Sequence, residues 1–474
     1  MNLGKEQQKS KETVRELTPA ANLTSLLNED WGNIKAVDKH IWGLTLPALV
    51  ELMLATLFNM VDMVMVGNVG TVALAAVGIA NQPNMLILSV FQSLNVGTMA
   101  LVARFTGTND HRSRRLVLQQ TLIISLLLGT ICSVLGYSLA QKVVVFMGAE
   151  PEVVAPATSY FAVTSIGAFF VSVTMGIGAA LRGAGDTVTP MRYNLIANFL
   201  NVIGNYILIF GKLGFPALGV TGAALSTTIS RGLAMAMALY AVYRSDSLFS
   251  LSTYKKFKVD LKIIKRILGI GLPSGIEQLI LRTGQIEFTR TVSGLGTTVF
   301  AAHQIGISLM GLSFAPNQAF GMAATTLVGQ SLGAGLPDAA EKFGLRTRRL
   351  GMLVAASVTT LFFFFGKQIA GLYTNDLQVA LMAAAALKVL AIMQPLQSTQ
   401  FILAGALRGA GDTRWPLYAT MIGIWGIRVV FAKLFIGMGF GLLGAWTANF
   451  LDQTFRSIFI YTRYNSEHWK TIEV

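Results

Sequence analysis

Long apolar segments separated by short polar ones cover most of the chain, from about residue 41 to residue 463. A helix needs about 20 apolar residues to cross the roughly 30 Å hydrocarbon core of a bilayer, and each segment is long enough. The predicted helices cover 41–66, 73–103, 116–140, 153–180, 190–211, 217–243, 264–292, 299–330, 348–371, 379–406, 416–437 and 440–463. The runs are continuous, which excludes a transmembrane barrel of alternating polar and apolar residues. The pattern predicts an all-α integral membrane protein with twelve transmembrane helices.

The composition agrees with a membrane domain and excludes a soluble enzyme. Of the 474 residues, 53% are hydrophobic and 13% are charged, whereas soluble domains carry about a quarter charged residues. A net charge of +14 would suggest nucleic-acid binding in a soluble protein. Here the basic residues lie in loops between apolar segments, so we expect a lipid bilayer and no nucleic acid as partner. The single Cys132 excludes an intramolecular disulfide and a cysteine metal cluster.

An internal duplication is the most specific feature of the sequence. The heptapeptide Leu-Arg-Gly-Ala-Gly-Asp-Thr at 181–187 recurs letter for letter at 407–413. The same offset aligns Pro47 with Pro273 and Glu51 with Glu277. Each half holds six helices, an even number, so both halves insert in the same orientation and are related by an axis along the membrane normal. We therefore expect two parallel-repeat six-helix bundles with a binding cleft between them, which is the architecture of a transporter.

The repeated heptapeptide itself is suited to a tight connection between helices. Gly-x-Gly ends one helix by allowing a positive φ, and the Asp and Thr provide caps for the next helix. Pro190 and Pro416 then fall in the first turn of that helix. A role as a hinge or gate is the alternative interpretation.

The distribution of Lys and Arg predicts the orientation in the membrane. The densest clusters follow the second predicted helix, precede the seventh and follow the eighth: Arg112, Arg114, Arg115, Lys255, Lys256, Lys258, Lys262, Lys265, Arg266, Lys342, Arg346, Arg348 and Arg349. The opposite loops hold little beyond Lys142, Lys212 and Lys367. By the positive-inside rule, both termini are expected in the cytoplasm of a protein that crosses the cell membrane many times.

The predicted organisation follows from the helices, the repeat and the charges. It consists of a cytoplasmic N-terminal tail (1–38), an N-lobe (39–243), a cytoplasmic linker (244–263), a C-lobe (264–463) and a cytoplasmic C-terminal tail (464–474). The N-terminal stretch lacks the apolar core and cleavage site of a secretory signal, so we interpret it as a tail.

Several motifs together resemble the bacterial branch of the multidrug and toxic compound extrusion family. They are Pro47, Asp62 within VDMVMVG, the doubled LRGAGDT, Asn198-x-x-Asn201 with LIFG at 208–211, and AAHQIG at 301–306. The resemblance covers about 41–463. It implies antiport, in which entry of H⁺ or Na⁺ drives the export of cationic or amphipathic organic molecules by alternating access. It also implies that the chain is not an enzyme and needs no cofactor beyond the coupling ion.

The sequence departs from the family at both of its usual ion sites. The N-lobe site of the family pairs the first-helix Asp with a second carboxylate four residues after an Asn, and here that residue is Asn205. The C-lobe site has an Asp ten residues before the Leu of the second heptapeptide, and here that residue is Gln397. The coupling ion therefore stays open between H⁺ and Na⁺, with Asp62 as a possible Na⁺ ligand and no other metal site expected.

Ionisable groups at membrane depth are the main candidates for coupling, because placing one there costs about 2.5–3.5 kcal/mol even by insertion scales. Asp62 lies roughly 30 Å along the first predicted helix, and the alternative is a boundary residue that caps a loop. Glu51 and Glu277 lie roughly 15 Å along their helices, one turn after a Pro, where the alternative is a packing residue paired with an Arg or a hydroxyl. Arg282 can pair with only one of Glu277 and Glu287.

The candidate residues form two groups. For ion or proton coupling we select Asp62, Asn201, Asn205, Thr227, Glu277, Arg282 and Glu287. For the substrate cleft we select Glu51, Asn59, Gln304, Asn317 and Gln397.

The predicted function is multidrug efflux by a monomeric antiporter of small organic cations or amphipathic drugs. The alternatives within transport are a lipid-linked oligosaccharide flippase and a secondary transporter of related fold. An intramembrane enzyme is disfavoured because no His-Glu-x-x-His, Gly-x-Ser-x-Gly or phosphate-cradling loop occurs.

The topology gives a first test. We expect a cysteine placed at Ser250 to resist a membrane-impermeant thiol reagent added to intact cells, because the Lys-rich linker lies in the cytoplasm. A cysteine placed at Lys212, in an opposite loop, is the matched control and should react. Both variants carry a replaced Cys132, and labelling is read from the purified protein. Reaction at 250 in intact cells would reverse the predicted orientation.

Overall fold

A computed structural model describes residues 34–244, 249 and 258–472. Within these ranges the chain forms twelve long helices and no β-strand. The helices are α1 (Ile34–Gly67), α2 (Thr71–Gly107), α3 (His111–Ser138), α4 (Pro151–Gly183), α5 (Val188–Phe210), α6 (Gly219–Arg244), α7 (Leu261–Ser293), α8 (Thr297–Gly333), α9 (Pro337–Gly371), α10 (Leu377–Ala410), α11 (Arg414–Gly437) and α12 (Gly441–Asn465). Two short helices, Ala140–Phe146 and His468–Thr471, complete the described secondary structure. The predicted all-α membrane fold is confirmed.

Ten of these helices are long and apolar enough to cross a membrane. The other two, α7 and α12, carry several charged residues within their length. Glu277, Arg282 and Glu287 interrupt α7, and Asp452 and Arg456 interrupt α12. Charges inside a membrane helix are expensive, so these two helices are where polar contacts inside the protein are expected.

Two helices begin well before the positions that hydropathy predicts. Helix α1 begins at Ile34, inside the predicted tail, whose residues 1–33 lie outside the described part of the chain. Helix α9 begins at Pro337 instead of 348, with Pro in the first turn and Asp338 close behind it. Both residues favour a helix start. The added turns contain charged residues of both signs, so a scan for apolar runs does not detect them.

The predicted linker 244–263 is described only in part. Lys255 and Lys256, on which the predicted orientation partly depends, lie outside the described residues, as does the labelling position Ser250. Lys258 and Asp260 are described, and the backbone of each forms a hydrogen bond with the Gln120 side chain on α3. The Gln120 amide donates to the Lys258 carbonyl at 2.9 Å and accepts from the Asp260 backbone N–H at 3.0 Å. The start of α7 is thereby attached to α3.

The chain divides into two compact units. Among the described residues, the first unit contains Val50–Gly271, and the second contains 34–49 and 272–472. The divisions fall inside α1 and α7, next to Pro47 and Pro273. A proline inside a helix removes a backbone hydrogen bond and allows a bend. Each unit therefore contains the greater part of one repeat together with a segment from the first helix of the other.

The first turns of α1 pack within the second unit. Asp38 accepts two hydrogen bonds from the Arg346 guanidinium of α9, each at 2.6 Å. The Trp42 ring packs edge-on against Phe320 of α8, with 5.3 Å between ring centroids. Ile41 is fully buried in the same hydrophobic core. The helix start is thus held by both an ion pair and apolar packing.

The two copies of the heptapeptide form tight connections between helices, as predicted. Gly185 and Gly411 have φ angles of 95° and 92°, which only glycine adopts readily. The Asp186 carboxylate accepts a hydrogen bond from the Thr189 backbone N–H at 2.9 Å and so caps α5. The equivalent Asp412 receives a backbone hydrogen bond from Trp415, also three residues further on, and in addition accepts from the Arg463 side chain of α12 at 2.8 Å. The two turns share their backbone and their cap, and the second adds an ion pair.

Helices α2 and α7 approach closely at two glycines. A Cβ atom added to Gly97 would clash with the backbone oxygen of Ile267, and one added to Gly271 would lie 2.6 Å from the backbone oxygen of Ser93. Small residues allow membrane helices to pack backbone against backbone. Gly269, two residues away on α7, has no neighbouring atom within 4 Å of an added Cβ.

This crossing gives a paired test on one helix. Gly271→Ala should lower the thermal stability of the detergent-purified protein, because the new methyl group would push apart two backbones. Gly269→Ala should leave stability unchanged or raise it, since alanine favours a helix by up to about 1 kcal/mol over glycine. Thermal unfolding followed by the fluorescence of buried tryptophans compares the two. Equal midpoints for both variants would contradict the close α2–α7 contact.

Candidate functional site

A polar cavity of about 190 Å³ lies inside the first unit, between α1, α4, α5 and α6. Its walls carry one carboxylate, one guanidinium, several amides and several hydroxyls. The lining residues are Asn59, Asp62, Val171, Thr174, Met175, Asn194, Ala197, Asn198, Asn201, Thr227, Ser230, Arg231 and Ala234. A concave pocket with a few convergent polar groups is the form that small-molecule sites usually take.

The four helices each contribute one face to this cavity. On α5 the lining positions are 194, 197, 198 and 201, and on α6 they are 227, 230, 231 and 234. Both sets follow the spacing of three and four residues that places side chains on one side of a helix. On α1, Asn59 and Asp62 are three residues apart, and α4 contributes 171, 174 and 175. The cavity is therefore built from regular helix geometry without any irregular segment.

Asp62 is held by amide side chains of α5. The Asn205 amide nitrogen donates to Asp62 Oδ1 at 2.7 Å. The Asn201 amide satisfies its neighbours best with its nitrogen towards Asp62, where it donates to Oδ1 at 3.2 Å and Oδ2 at 2.9 Å. Its oxygen then accepts from Ser226 Oγ and from the Thr227 backbone N–H. The carboxylate thus faces nitrogen donors and has no basic partner among the hydrogen bonds of the described residues.

These donors limit what Asp62 can bind in this arrangement. An amide N–H stabilises an ionised carboxylate and leaves its remaining lone pairs for a proton or an organic ammonium group. Sodium needs several oxygen ligands, which Asn201 and Asn205 supply only with their amide oxygens towards Asp62. With both amide nitrogens towards it, the carboxylate is open to a proton or an organic cation.

Arg231 of α6 is the second charged group that lines the cavity. Its Nη1 donates to the Thr164 carbonyl at 3.4 Å, a long hydrogen bond. No carboxylate pairs with this guanidinium within the described ranges. Arg231 is not among the residues predicted from the sequence, although a basic residue in the middle of an apolar helix is a visible signal.

Glu51 and Glu277 occupy equivalent structural ion pairs outside this cavity. Arg182 of the first heptapeptide donates to Glu51 at 2.7 Å, and Arg408 of the second donates to Glu277 at 2.8 Å. Each carboxylate accepts one more hydrogen bond, from a residue at the same position of the repeat. Asn194 donates to Glu51 at 2.6 Å, and Thr420 donates to Glu277 at 3.1 Å. These contacts agree with the alternative interpretation of Glu51 and Glu277 as packing residues paired with an arginine. The arginine that pairs with Glu277 is Arg408 and not Arg282.

The remaining predicted residues lie in the second unit. Glu287 pairs with Lys433 at 2.7 Å, and Arg282 and Gln304 are exposed. Asn317 and Gln397 are buried, and each has one polar side-chain atom without a hydrogen-bond partner. Of the twelve selected residues, the structure thus brings together Asn59, Asp62, Asn201, Asn205 and Thr227 around one site.

A buried ionic network in the second unit was also missed. Asp452 of α12 accepts from Arg428 Nε at 2.8 Å and pairs with Arg456 at 2.9 Å. Arg456 also donates to Gln453, whose amide donates to Gln400 at 3.2 Å. Arg428 lies in a π-helical stretch of α11, Ile422–Val429. The charges themselves are visible in the sequence, but the π-helix that aims Arg428 at Asp452 is not.

The chain is similar to a known protein family, to several multidrug resistance proteins and to solved transporter structures. The MatE family model matches residues 47–207 and 273–434. A protein of Thermotoga maritima named "Probable multidrug resistance protein NorM" is 30% identical over 92% of this chain and 94% of its own length. "Multidrug resistance protein PmpM" of Pseudomonas aeruginosa is 28% identical over 83% of each chain. The solved outward-facing conformation of a multidrug resistance MATE family transporter of the MOP superfamily has a TM-score of 0.84 and 25% identity, covering 91% of this chain and 96% of that one.

The ion pairs give a stability test with a matched control. Arg408→Met should cost about 3–5 kcal/mol, because it strands the Glu277 carboxylate, whose side chain is 2% exposed. Lys433→Met should cost far less, because the Lys433 side chain is 56% exposed. Adding Glu277→Gln to Arg408→Met should recover part of the loss by removing the buried charge. Unfolding in mixed micelles measures all three, and equal losses for the two single variants would contradict the structural role.

Proposed function

Because this chain belongs to the MatE family of multidrug transporters, we propose that it exports cationic or amphipathic organic molecules in exchange for protons. The observation that carries the proposal is Asp62 at the wall of a polar cavity, held by Asn205 and Asn201. The family and the relatives support export of drugs across a membrane. The coupling ion, the substrate class and the residue that joins them are the proposal.

Competition for one carboxylate supplies the coupling. A proton and an organic cation cannot both occupy the free side of Asp62, so each displaces the other. A ligand shifts a conformational equilibrium only by its differential affinity for the two states. If the inward-open and outward-open states differ in their preference for the two ligands, loading one and releasing the other drives the cycle. The linkage is reciprocal, so substrate binding must also weaken proton binding.

Protons are preferred over sodium as the coupling ion on the basis of the donors around Asp62. Both amides that contact the carboxylate present nitrogen to it in the satisfied arrangement. The position that would supply a second carboxylate holds Asn205, so the pair of acidic groups that would balance a bound cation is missing. Sodium coupling is the alternative, and the gradient experiment below separates the two.

The proposed setting is the cell membrane, with both termini in the cytoplasm and one chain as the working unit. The basic residues that the structure describes at the start of α3 and in the first turns of α9 support this orientation, because the positive-inside rule places such clusters in the cytoplasm. Each described unit has its own buried core, and the cavity is complete within one chain. No second copy is needed to build the site.

The coupling role of Asp62 is tested by changing its charge and keeping its shape. In proteoliposomes with an imposed proton gradient, Asp62→Asn should lose at least 90% of gradient-driven uptake or release of a fluorescent organic cation, about a tenfold effect. Glu287→Gln is the matched acid-to-amide control, since Glu287 is partly exposed and paired with Lys433 outside this cavity. It should transport at the rate of the unchanged protein.

The same vesicles separate the two ions. A proton gradient imposed with equal sodium on both sides should drive transport, and a sodium gradient imposed at constant pH should not. Transport by Asp62→Asn at the unchanged rate would refute the coupling role. Transport driven by sodium alone would replace the proton with sodium and leave the export function standing.

A further inference from the structure

The start of α7 carries positive charge that the described part of the protein does not neutralise. Lys262, Lys265 and Arg266 are exposed, and none of them forms an ion pair within the described ranges. The Arg266 guanidinium lies over the Phe105 ring of α2, 5.3 Å from its centre. Arg104 on the same helix is close enough for its charge to repel that of Arg266. Like charges are thus gathered here without an acidic partner for the three cations of α7.

The carboxylates of this region cap helices instead of pairing with these cations. Residues 104–115 and 258–266 contain eight Lys and Arg but only two acids, Asp110 and Asp260. Asp110 accepts hydrogen bonds from two backbone N–H groups at the start of α3, each at 3.0 Å. Asp260 accepts from the backbone N–H of Lys262 at 2.9 Å. Both acids therefore stabilise helix N-termini, and a large excess of positive charge is left.

The corresponding surface of the second repeat has the opposite charge. At the offset of 226 residues that relates the two heptapeptides, Asp338 occupies the position of Arg112. Glu341 occupies the position of Arg115 in the same way. Both acids pair with Lys470 near the end of the chain, at 3.3 Å and 2.7 Å. The second repeat thus has a cation of its own chain on this surface, whereas the first repeat carries arginines at the equivalent positions.

Charged and apolar side chains share one exposed face of α7. Leu261, Lys265 and Leu268 follow the spacing of four and three residues that places side chains on one side of a helix, and Lys262 and Arg266 lie beside them. Leu261 is 74% exposed and Leu268 is 42% exposed. A ligand that covers this face must therefore carry negative charge and also offer an apolar surface.

We propose that this face of α7 binds an anionic phospholipid. The phosphate lies at Lys262, Lys265 and Arg266, and an acyl chain lies against Leu268, one turn further along the helix. Anionic lipids attract basic residues next to membrane helices, and the long stems of Lys and Arg can reach the headgroup from an apolar surface. A soluble phosphate ester would satisfy the charges and leave the leucines uncovered. The inference goes beyond the export function and does not depend on the coupling ion.

Competition between two lipids tests the inference on the purified full-length protein. The protein is equilibrated in mixed micelles that contain equal amounts of phosphatidylglycerol and phosphatidylcholine with the same acyl chains. It is then captured and washed, and the two retained lipids are quantified by mass spectrometry. A parallel sample contains glycerophosphoglycerol, the same headgroup without acyl chains, at the concentration of the anionic lipid.

Three double variants accompany the unchanged protein. Lys262→Gln with Lys265→Gln removes two charges of the proposed site, and Lys262→Arg with Lys265→Arg keeps them. Lys35→Gln with Lys39→Gln is the matched control, because it removes two exposed lysines from the first turns of α1, the corresponding helix of the other repeat. Thermal unfolding in detergent without added lipid should give the same midpoint for all three, since these side chains are exposed.

The expected result is a preference that depends on the charges of α7. The unchanged protein should retain phosphatidylglycerol over phosphatidylcholine by about tenfold, and the Gln variant of α7 should lower this ratio at least fivefold, since each basic residue at an anionic lipid surface contributes a factor of about five. The Arg variant and the α1 control should stay within about twofold of the unchanged protein.

Three outcomes would overturn the inference. Equal retention of the two lipids by the unchanged protein would show that no anionic lipid is selected. An equal loss of preference in the α1 control would show attraction by the overall positive charge instead of a site on α7. Displacement of phosphatidylglycerol by the same concentration of glycerophosphoglycerol would identify a soluble phosphate ester, and not a lipid, as the ligand.

Discussion

The cost of burying an unpaired charge governs this structure more than any other constraint. In an apolar interior, an ionised group without a partner is so unfavourable that it either finds an opposite charge or serves a ligand. Two carboxylates have found an opposite charge in this way: Glu51 pairs with Arg182, and Glu277 pairs with Arg408. Each pair joins the first helix of a repeat, one turn after its proline, to the end of the fourth helix. The Glu51–Arg182 pair therefore holds α1 against α4, and both of these helices line the cavity.

Asp62 and Arg231 lie on the wall of one cavity without an ion pair between them or to another described residue. Asn205 donates to Asp62, and Arg231 donates to a backbone carbonyl. The structure keeps them apart in one cavity instead of joining them in an ion pair. A pair in direct contact would be stable and inert. Two separated charges instead leave the wall of the cavity polar.

The sequence predicted the architecture well because hydropathy and repetition are properties of the chain itself. The twelve helices follow from the length of apolar runs, and the shared offset of the heptapeptides defines the two halves. The partner of Glu277 was not predictable in the same way, because Arg408 lies 131 residues further along the chain. Arg282 was considered as a partner because it is close in sequence, although five residues turn a helix by about 140° away from the same face. Arg231 was missed for a different reason: basic residues were assessed mainly as loop markers of orientation.

The two halves share their ion pairs but differ at the cavity. Helices α6 and α12 begin alike, with Gly-x-x-Gly-Ala at 219–223 and 441–445, so Ser230, Arg231 and Ala234 correspond to Asp452, Gln453 and Arg456. In the first half this helix face lines open space. In the second half it carries Asp452 and Arg456 in a closed ionic network with Arg428, supported by the π-helical turn of α11. The duplicated scaffold thus keeps the pairs that hold helices together, while this face carries an ionic network in the second copy and lines a cavity in the first.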